Sequence, residues 1–306
     1  MRILILASFF VVGCSPGETD AREDGDDKTI SPVLAGRLEN RDIDEASGIA
    51  RSQKTAGTYW IVNDSGKPRL HPIDERGRSL GKVKVDGAKL SDWEDIASFT
   101  LDGQPYLLIA DIGDNDADRK DVRLYVVEEP RPDDEEVDIA WEFDFTYADK
   151  PHDAEAIAVD IENDRVLVLT KRQIPAVLYE LPLRPADDGR QVAMPLGAPV
   201  LPQPRRQDIE FAPRTKNWWW QPTGMDFSDD GQAAVILTYR GVFYYPRKPG
   251  ENWMDALERR PLALSTGDYG EAESVSFNAD ATAIIITLEG SGAPVVRIDL
   301  ERKTGP

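Results

Sequence analysis

The chain has 306 residues, with 36 Lys and Arg against 56 Asp and Glu, a formal net charge of −20, and one cysteine. A chain this acidic is a poor partner for nucleic acid or anionic lipid surfaces, and it suits cations or cationic partners. One cysteine excludes a disulfide within the chain.

Met1-Arg2 is a short charged start, followed over residues 3–12 by an apolar run too short to span a bilayer. The run ends in Val11-Val12-Gly13-Cys14, which resembles the bacterial lipobox. The resemblance implies a signal peptide over 1–13 and a lipidated Cys14, carrying palmitate-type acyl chains, as the mature N-terminus. The alternative is an ordinary signal peptide with an incidental cysteine. Lipidation would take Cys14 out of any catalytic role. Several acyl chains anchor firmly, where one holds only marginally. By resemblance to Gram-negative lipoproteins, Ser15 in place of Asp implies the outer membrane, facing the periplasm or the cell surface. Residues 14–29 are polar and acidic and read as a flexible tether. Residues 30–306 then form one domain.

Within that domain a short phrase recurs five times: Ser47-Gly48-Ile49-Ala50, Glu94-Asp95-Ile96-Ala97, Glu155-Ala156-Ile157-Ala158, Thr223-Gly224-Met225-Asp226 and Glu273-Ser274-Val275-Ser276. The spacings are 47, 61, 68 and 50 residues. Each phrase opens a strand. In four copies a turn follows, at Asp102-Gly103, Asn163-Asp164, Asp230-Gly231 and Asn278-Ala279-Asp280; the first copy has Ala56-Gly57. Second strands are predicted at 59–62, 106–110, 166–169, 233–237 and 283–286, apolar throughout as befits burial on both faces. Third strands are predicted at 70–73, 124–127, 177–181, 242–245 and 295–298. Outer strands are less regular, as at 81–85 and 142–147. No segment reads as a long amphipathic helix. This is the pattern of an all-β propeller of five blades, or six if residues 189–213 hold a degenerate unit. The last unit lacks an outer strand, which Ser31 to Glu39 can supply, closing the ring and removing two exposed edges.

The repeat columns place side chains near the axis. The column Ser47, Glu94, Glu155, Thr223 and Glu273 sets three carboxylates at one mouth, where they would repel one another unless compensated. A second column, Asn63, Asp111, Thr170, Thr238 and Thr287, ends the second strands, next to Asp64, Lys171, Tyr239 and Glu289. The threonines suit strand-end hydrogen bonds, and Lys171 suits partial neutralisation of the carboxylates. The acidic turn from Asp111 to Asp118 holds Asp114 and Asn115, oxygen donors suited to Ca²⁺ or to local backbone bonds. It lacks EF-hand spacing. His71 falls in a half-buried strand column. His152, three residues before Glu155, is a candidate proton carrier. There is no Gly-x-Ser-x-Gly elbow and no His-Glu-x-x-His pair.

Asn63-Asp64-Ser65-Gly66, Asp92-Trp93-Glu94-Asp95-Ile96-Ala97, Ala110-Asp111-Ile112-Gly113-Asp114-Asn115, Asp153-Ala154-Glu155-Ala156 and Thr238-Tyr239-Arg240 together resemble a group of bacterial secreted propeller proteins of uncharacterised activity, over about Asp44 to Leu300. More distantly the chain is similar to esterase-like phytase propellers and to gluconolactonase-type propellers. Members of the latter hold a divalent metal in the channel through Glu, Asn and Asp. Only residue types at the channel mouth match here. Two functions follow as expectations. The first is a lipid-anchored envelope module that binds or scaffolds a protein, glycan or small-molecule ligand, with a divalent cation such as Ca²⁺ at the channel mouth. The second is a metal-dependent lactonase, esterase or phosphoesterase. There Glu94, Glu155, Glu273, Asn63 and Asp111 would be ligands around one centre, and Asp95 or His152 the base.

Overall fold

The structure, a computed structural model, describes residues 31–186, 189–201, 220–239, 241–265 and 271–300. Cys14, the tether, Trp218, Trp219 and Arg240 lie outside the described residues. The described chain is all-β with almost no helix, and a β-propeller fits it. Among the described residues, helical structure is confined to a 3-10 turn at Ile161–Asn163 and a five-residue helix, α1 (Trp253–Leu257). The Asn252 side chain caps α1 by accepting from Met254 N.

The strands fall into antiparallel groups of four in chain order. β2 (Ala46–Arg51), β3 (Thr58–Asn63), β4 (Arg69–Asp74) and β5 (Val83–Asp86) form the first. β6 (Trp93–Leu101), β7 (Gln104–Asp111), β8 (Val122–Glu128) and β9 (Glu136–Tyr147) form the second. β10 (Ala154–Asp160), β11 (Arg165–Thr170), β12 (Leu178–Pro182) and β13 (Gln191–Gly197) follow. Next come β14 (Pro222–Phe227), β15 (Ala233–Thr238), β16 (Gly241–Pro246) and β17 (Leu262–Leu264). In the last group, β18 (Ala272–Phe277), β19 (Ala283–Leu288) and β20 (Pro294–Asp299) are joined by β1 (Val33–Arg37), which pairs antiparallel with β20. The expected outer strand 142–147 is longer than its sequence signal. β9 begins at Glu136, and it pairs in parallel with both β5 and β13, fusing three groups into one twelve-stranded sheet.

The inner strands pack in cyclic order: β2 on β6, β6 on β10, β10 on β14, β14 on β18 and β18 on β2. The second strands are sandwiched, and their side chains alternate between two cores. Leu107 and Ile109 join Trp60, Trp93 and Tyr125, whereas Leu108 and Ala110 join Phe143, Phe145 and Val168. This is why those strands read as unbroken apolar runs. Asp164, at φ 50°, and Gly231, at φ 63°, take the left-handed turn positions that the Asn-Asp and Asp-Gly signals anticipate.

Close approach at the axis sets the small-residue column. A Cβ on Gly48 would lie 2.7 Å from Asp95 Cα. Asp95 is the exception in that column because its carboxylate ties two groups together. It accepts from Ile96 N in its own strand and from Ile157 N in the next, each at 2.8 Å. Asp226 makes the same link from β14 to β18, accepting from Phe277 N at 2.8 Å.

Candidate functional site

In all five inner strands the pairing register shifts at the phrase: between Ala46 and Gly48, Trp93 and Asp95, Ala154 and Ala156, Pro222 and Gly224, and Ala272 and Ser274. The skipped residues are Ser47, Glu94, Glu155, Thr223 and Glu273. A bulge releases its extra residue from the ladder and re-aims the side chain. The repeated phrase is therefore a repeated bulge. Ser47 and Thr223 spend their hydroxyls on the next inner strand, donating to Trp93 O (2.6 Å) and Ala272 O (2.9 Å). The three glutamates instead line a cavity of about 190 Å³.

Its walls hold seven carboxylates, Glu45, Asp64, Asp92, Glu94, Glu155, Glu273 and Glu289. Among the described lining residues Lys171 is the one base. Its ammonium pairs with Glu155 Oε1 and lies 5.3 Å from the centroid of the Tyr239 ring. Asn115 also lines the cavity. Glu94 is 8% exposed, and neither Glu94 nor Glu273 makes a hydrogen bond or ion pair with a described residue. Glu94, Asp153 and Glu155 offer oxygens within 4.8 Å of one another, as do Glu271, Glu273 and Glu289. Both acidic groups could hold a metal ion. A Cβ on Gly113 would come within 2.3 Å of Asp92 Oδ2 and 2.4 Å of Glu94 Oε1, so a side chain there would push these two carboxylates aside.

Not every expected ligand reaches the cavity. Asp111 accepts from Ser91 N (2.9 Å) and from Arg119 Nη2 (2.7 Å), which occupies it locally. Asn63 donates to Asp42 O at 2.7 Å. Asp114 accepts from Asp118 N and Arg119 N, a self-contained acidic turn, and its own N–H donates to Asp153 Oδ1 (2.9 Å). Glu273 belongs to the second acidic group and Asp111 to neither, so the five expected ligands share no single centre. Asp95 lies outside the cavity lining with both oxygens bonded to backbone N–H groups. His152 is likewise outside, with Nε2 at 3.0 Å from Tyr179 Oη and 2.9 Å from Asp149 Oδ2. His71 is buried, and burial lowers its pKa to about 4.

The residues that the repeat reading missed are Glu45, Asp92 and Asp153. Each lies two positions before a phrase, on the chain that leads into the bulged strand. That spacing was the available signal. Asp64, Lys171, Tyr239 and Glu289, flanking the second column, all line the cavity.

Burial dominates the electrostatics. It pushes Asp92 up to about 6, with Asp64 adding to the effect. It raises Glu94 well above the usual carboxylate range, helped by Glu155, and does the same to Glu273. Burial lifts Glu155 to about 7 despite Lys171. Burial also opposes the Lys171 charge, but Glu155 and Tyr239 more than offset it and hold the ammonium protonated. A carboxyl raised on folding contributes stability that is complete below its unfolded pKa and is lost as pH rises through the folded one. For Asp92 and Glu155 that window runs from their ordinary values of 3.8 and 4.5 up to about 6 and about 7. In EDTA, the melting temperature is expected to fall as pH rises across this window. A melt series in which it rises would show that the carboxylates are compensated.

No family model matches the sequence, and no curated protein matches it. Among solved structures the chain is similar to the PQQ-bound aldose sugar dehydrogenase of Streptomyces coelicolor, at 12% identity and a TM-score of 0.44, covering 89% of this chain and 98% of that one. It is also similar to a protein described as a 6-phosphogluconolactonase from Bacteroides uniformis, at 11% identity and a TM-score of 0.41, covering 85% and 69%. At these levels neither neighbour's chemistry transfers to this chain.

Proposed function

We propose that this protein is a five-bladed propeller, closed by its N-terminal strand, whose axial acidic cavity binds a divalent cation. In this reading it is a binding module of the bacterial envelope. Cys14 lipidates and anchors it at the outer membrane, and the cation shapes the face that meets a protein or glycan. The cyclic packing of the inner strands and the β1–β20 pairing support the ring. One observation carries the cation site: Glu94, buried on a bulge, faces the cavity with no hydrogen-bonding or ionic partner among the described residues. Leaving such a carboxylate ionised and uncompensated is costly; burial favours its protonated form, and a hard cation bound there would take the place of the proton. Glu94 and Glu155 would hold it, and carboxylate oxygens suit Ca²⁺.

Binding to the native state must stabilise it, by about 2.7 kcal/mol at a hundred times Kd. Ca²⁺ is therefore expected to raise the melting temperature of the purified protein, and EDTA to reverse the rise. No shift with Ca²⁺, Mg²⁺ or Mn²⁺ would remove the cation site.

A second reading, a hydrolase of a lactone or phosphoester, is favoured by one observation. Glu155 is poised at about 7 on the cavity wall, where a carboxyl can give or take a proton at neutral pH. Turnover of such esters that disappears in Glu155→Gln, with unchanged melting, would put this reading ahead.

A further inference from the structure

The cavity already contains a cation of its own. The Lys171 ammonium sits on Glu155 Oε1, steadied by the Tyr239 ring at 5.3 Å. The lysine's backbone N–H donates to Asp153 O at 2.9 Å, which fixes its strand end beside the acidic group Glu94, Asp153 and Glu155. Within that group the side-chain oxygens of Asp153 are taken, one by Asp114 N and the other by Arg172 Nε. An incoming ion must therefore draw on Glu94, which is 8% exposed and has no hydrogen-bonding or ionic partner among the described residues, and on Glu155. The oxygens of the group lie within 4.8 Å of one another. An ion at about 2.3–2.6 Å from a Glu155 oxygen would fall beside the lysine nitrogen, and two cations at that distance repel strongly.

We propose that Lys171 is a built-in competitor for the cation site: its ammonium holds Glu155, and a divalent cation bridges Glu94 and Glu155 only by displacing it. The inference rests on the cation-site reading above and adds a specificity device to it. The flexible four-carbon stem lets the ammonium move without moving the strand. Glu273, which lines the same cavity and already feels the Lys171 charge, is an alternative acceptor for it. The competitor keeps Glu155 compensated when no ion is bound, and it weakens ion binding. It also turns binding into a change at the cavity mouth, where a displaced lysine becomes available to a partner.

The test is a CaCl₂ titration by calorimetry on the wild-type protein, Lys171→Met and Lys171→Arg, with amine-reactive labelling of wild-type Lys171 followed by mass spectrometry. The methionine variant is expected to bind Ca²⁺ at least about tenfold more tightly than wild type, and the arginine variant, which keeps the charge, much less so. Labelling of Lys171 is expected to speed up several-fold at saturating Ca²⁺, while the exposed Lys82 serves as an unchanged control. If Lys171→Met does not fold, the labelling decides. Ca²⁺ binding by wild type with no gain in the methionine variant, or with Lys171 labelling unchanged, overturns the competitor and leaves the cation site standing. No binding by either protein overturns both.

Discussion

Lys171→Met is expected to destabilise the metal-free protein by about 3–5 kcal/mol at neutral pH, because removing one partner of a buried ion pair strands the other. Both members are buried, and the glutamate left behind faces Glu94 and Asp153 across less than 4.8 Å. In a domain of this size such a loss lowers the melting temperature by roughly 10 °C. The direction of the pH dependence identifies the cause. Glu155, Glu94 and Asp92 are all raised by burial, so acidification neutralises the stranded charge. The defect should shrink at pH 5 and grow at pH 8, as read by melting in EDTA. A defect independent of pH would mean that Lys171 matters for packing alone.

Asp95→Ala is expected to cost about 2–4 kcal/mol, since unsatisfied buried donors cost about 1–3 kcal/mol each. The substitution strands Ile96 N–H and Ile157 N–H, and the second of these belongs to the neighbouring four-strand group. Hydrogen exchange should therefore accelerate at Ile157, across the junction between two four-strand groups, rather than only at the mutated strand. Ca²⁺ affinity should be unchanged, because Asp95 is absent from the cavity wall. Loss of Ca²⁺ binding without loss of stability would instead make Asp95 part of the site.

The all-β architecture was legible because two signals agree. The second strands are buried on both faces, so their apolar runs are unbroken, and turn residues close each hairpin. Long β9 was only half legible: its N-terminal part from Glu136 to Trp141 is built on a half-exposed, alternating pattern that pairs in parallel with β5. Such pairing has no turn to announce it. Helix α1 is five residues long, too short for a periodic signal.

The site was legible as a column but not as a geometry. Aligning the phrases brings Glu94, Glu155 and Glu273 together, and the structure places all three in one cavity. Alignment cannot show that the column is a chain of bulges, because a bulge is defined by its partner strand. Asp111 and Asn63 stand in the adjoining column, yet Arg119 and the Asp42 carbonyl engage them. Asp153 was missed because its aspartate reads as loop chemistry, although it lies two residues before Glu155 and its oxygens fall in the same acidic group.

The most direct measurement of the central claim is a calorimetric CaCl₂ titration of the purified, EDTA-treated protein beside Glu94→Gln. Expected is saturable binding in the wild type that weakens at least about tenfold in the glutamine variant, since a carboxylate ligand loses its charge. No binding by the wild type, or equal binding by both proteins, would contradict a cation site centred on Glu94.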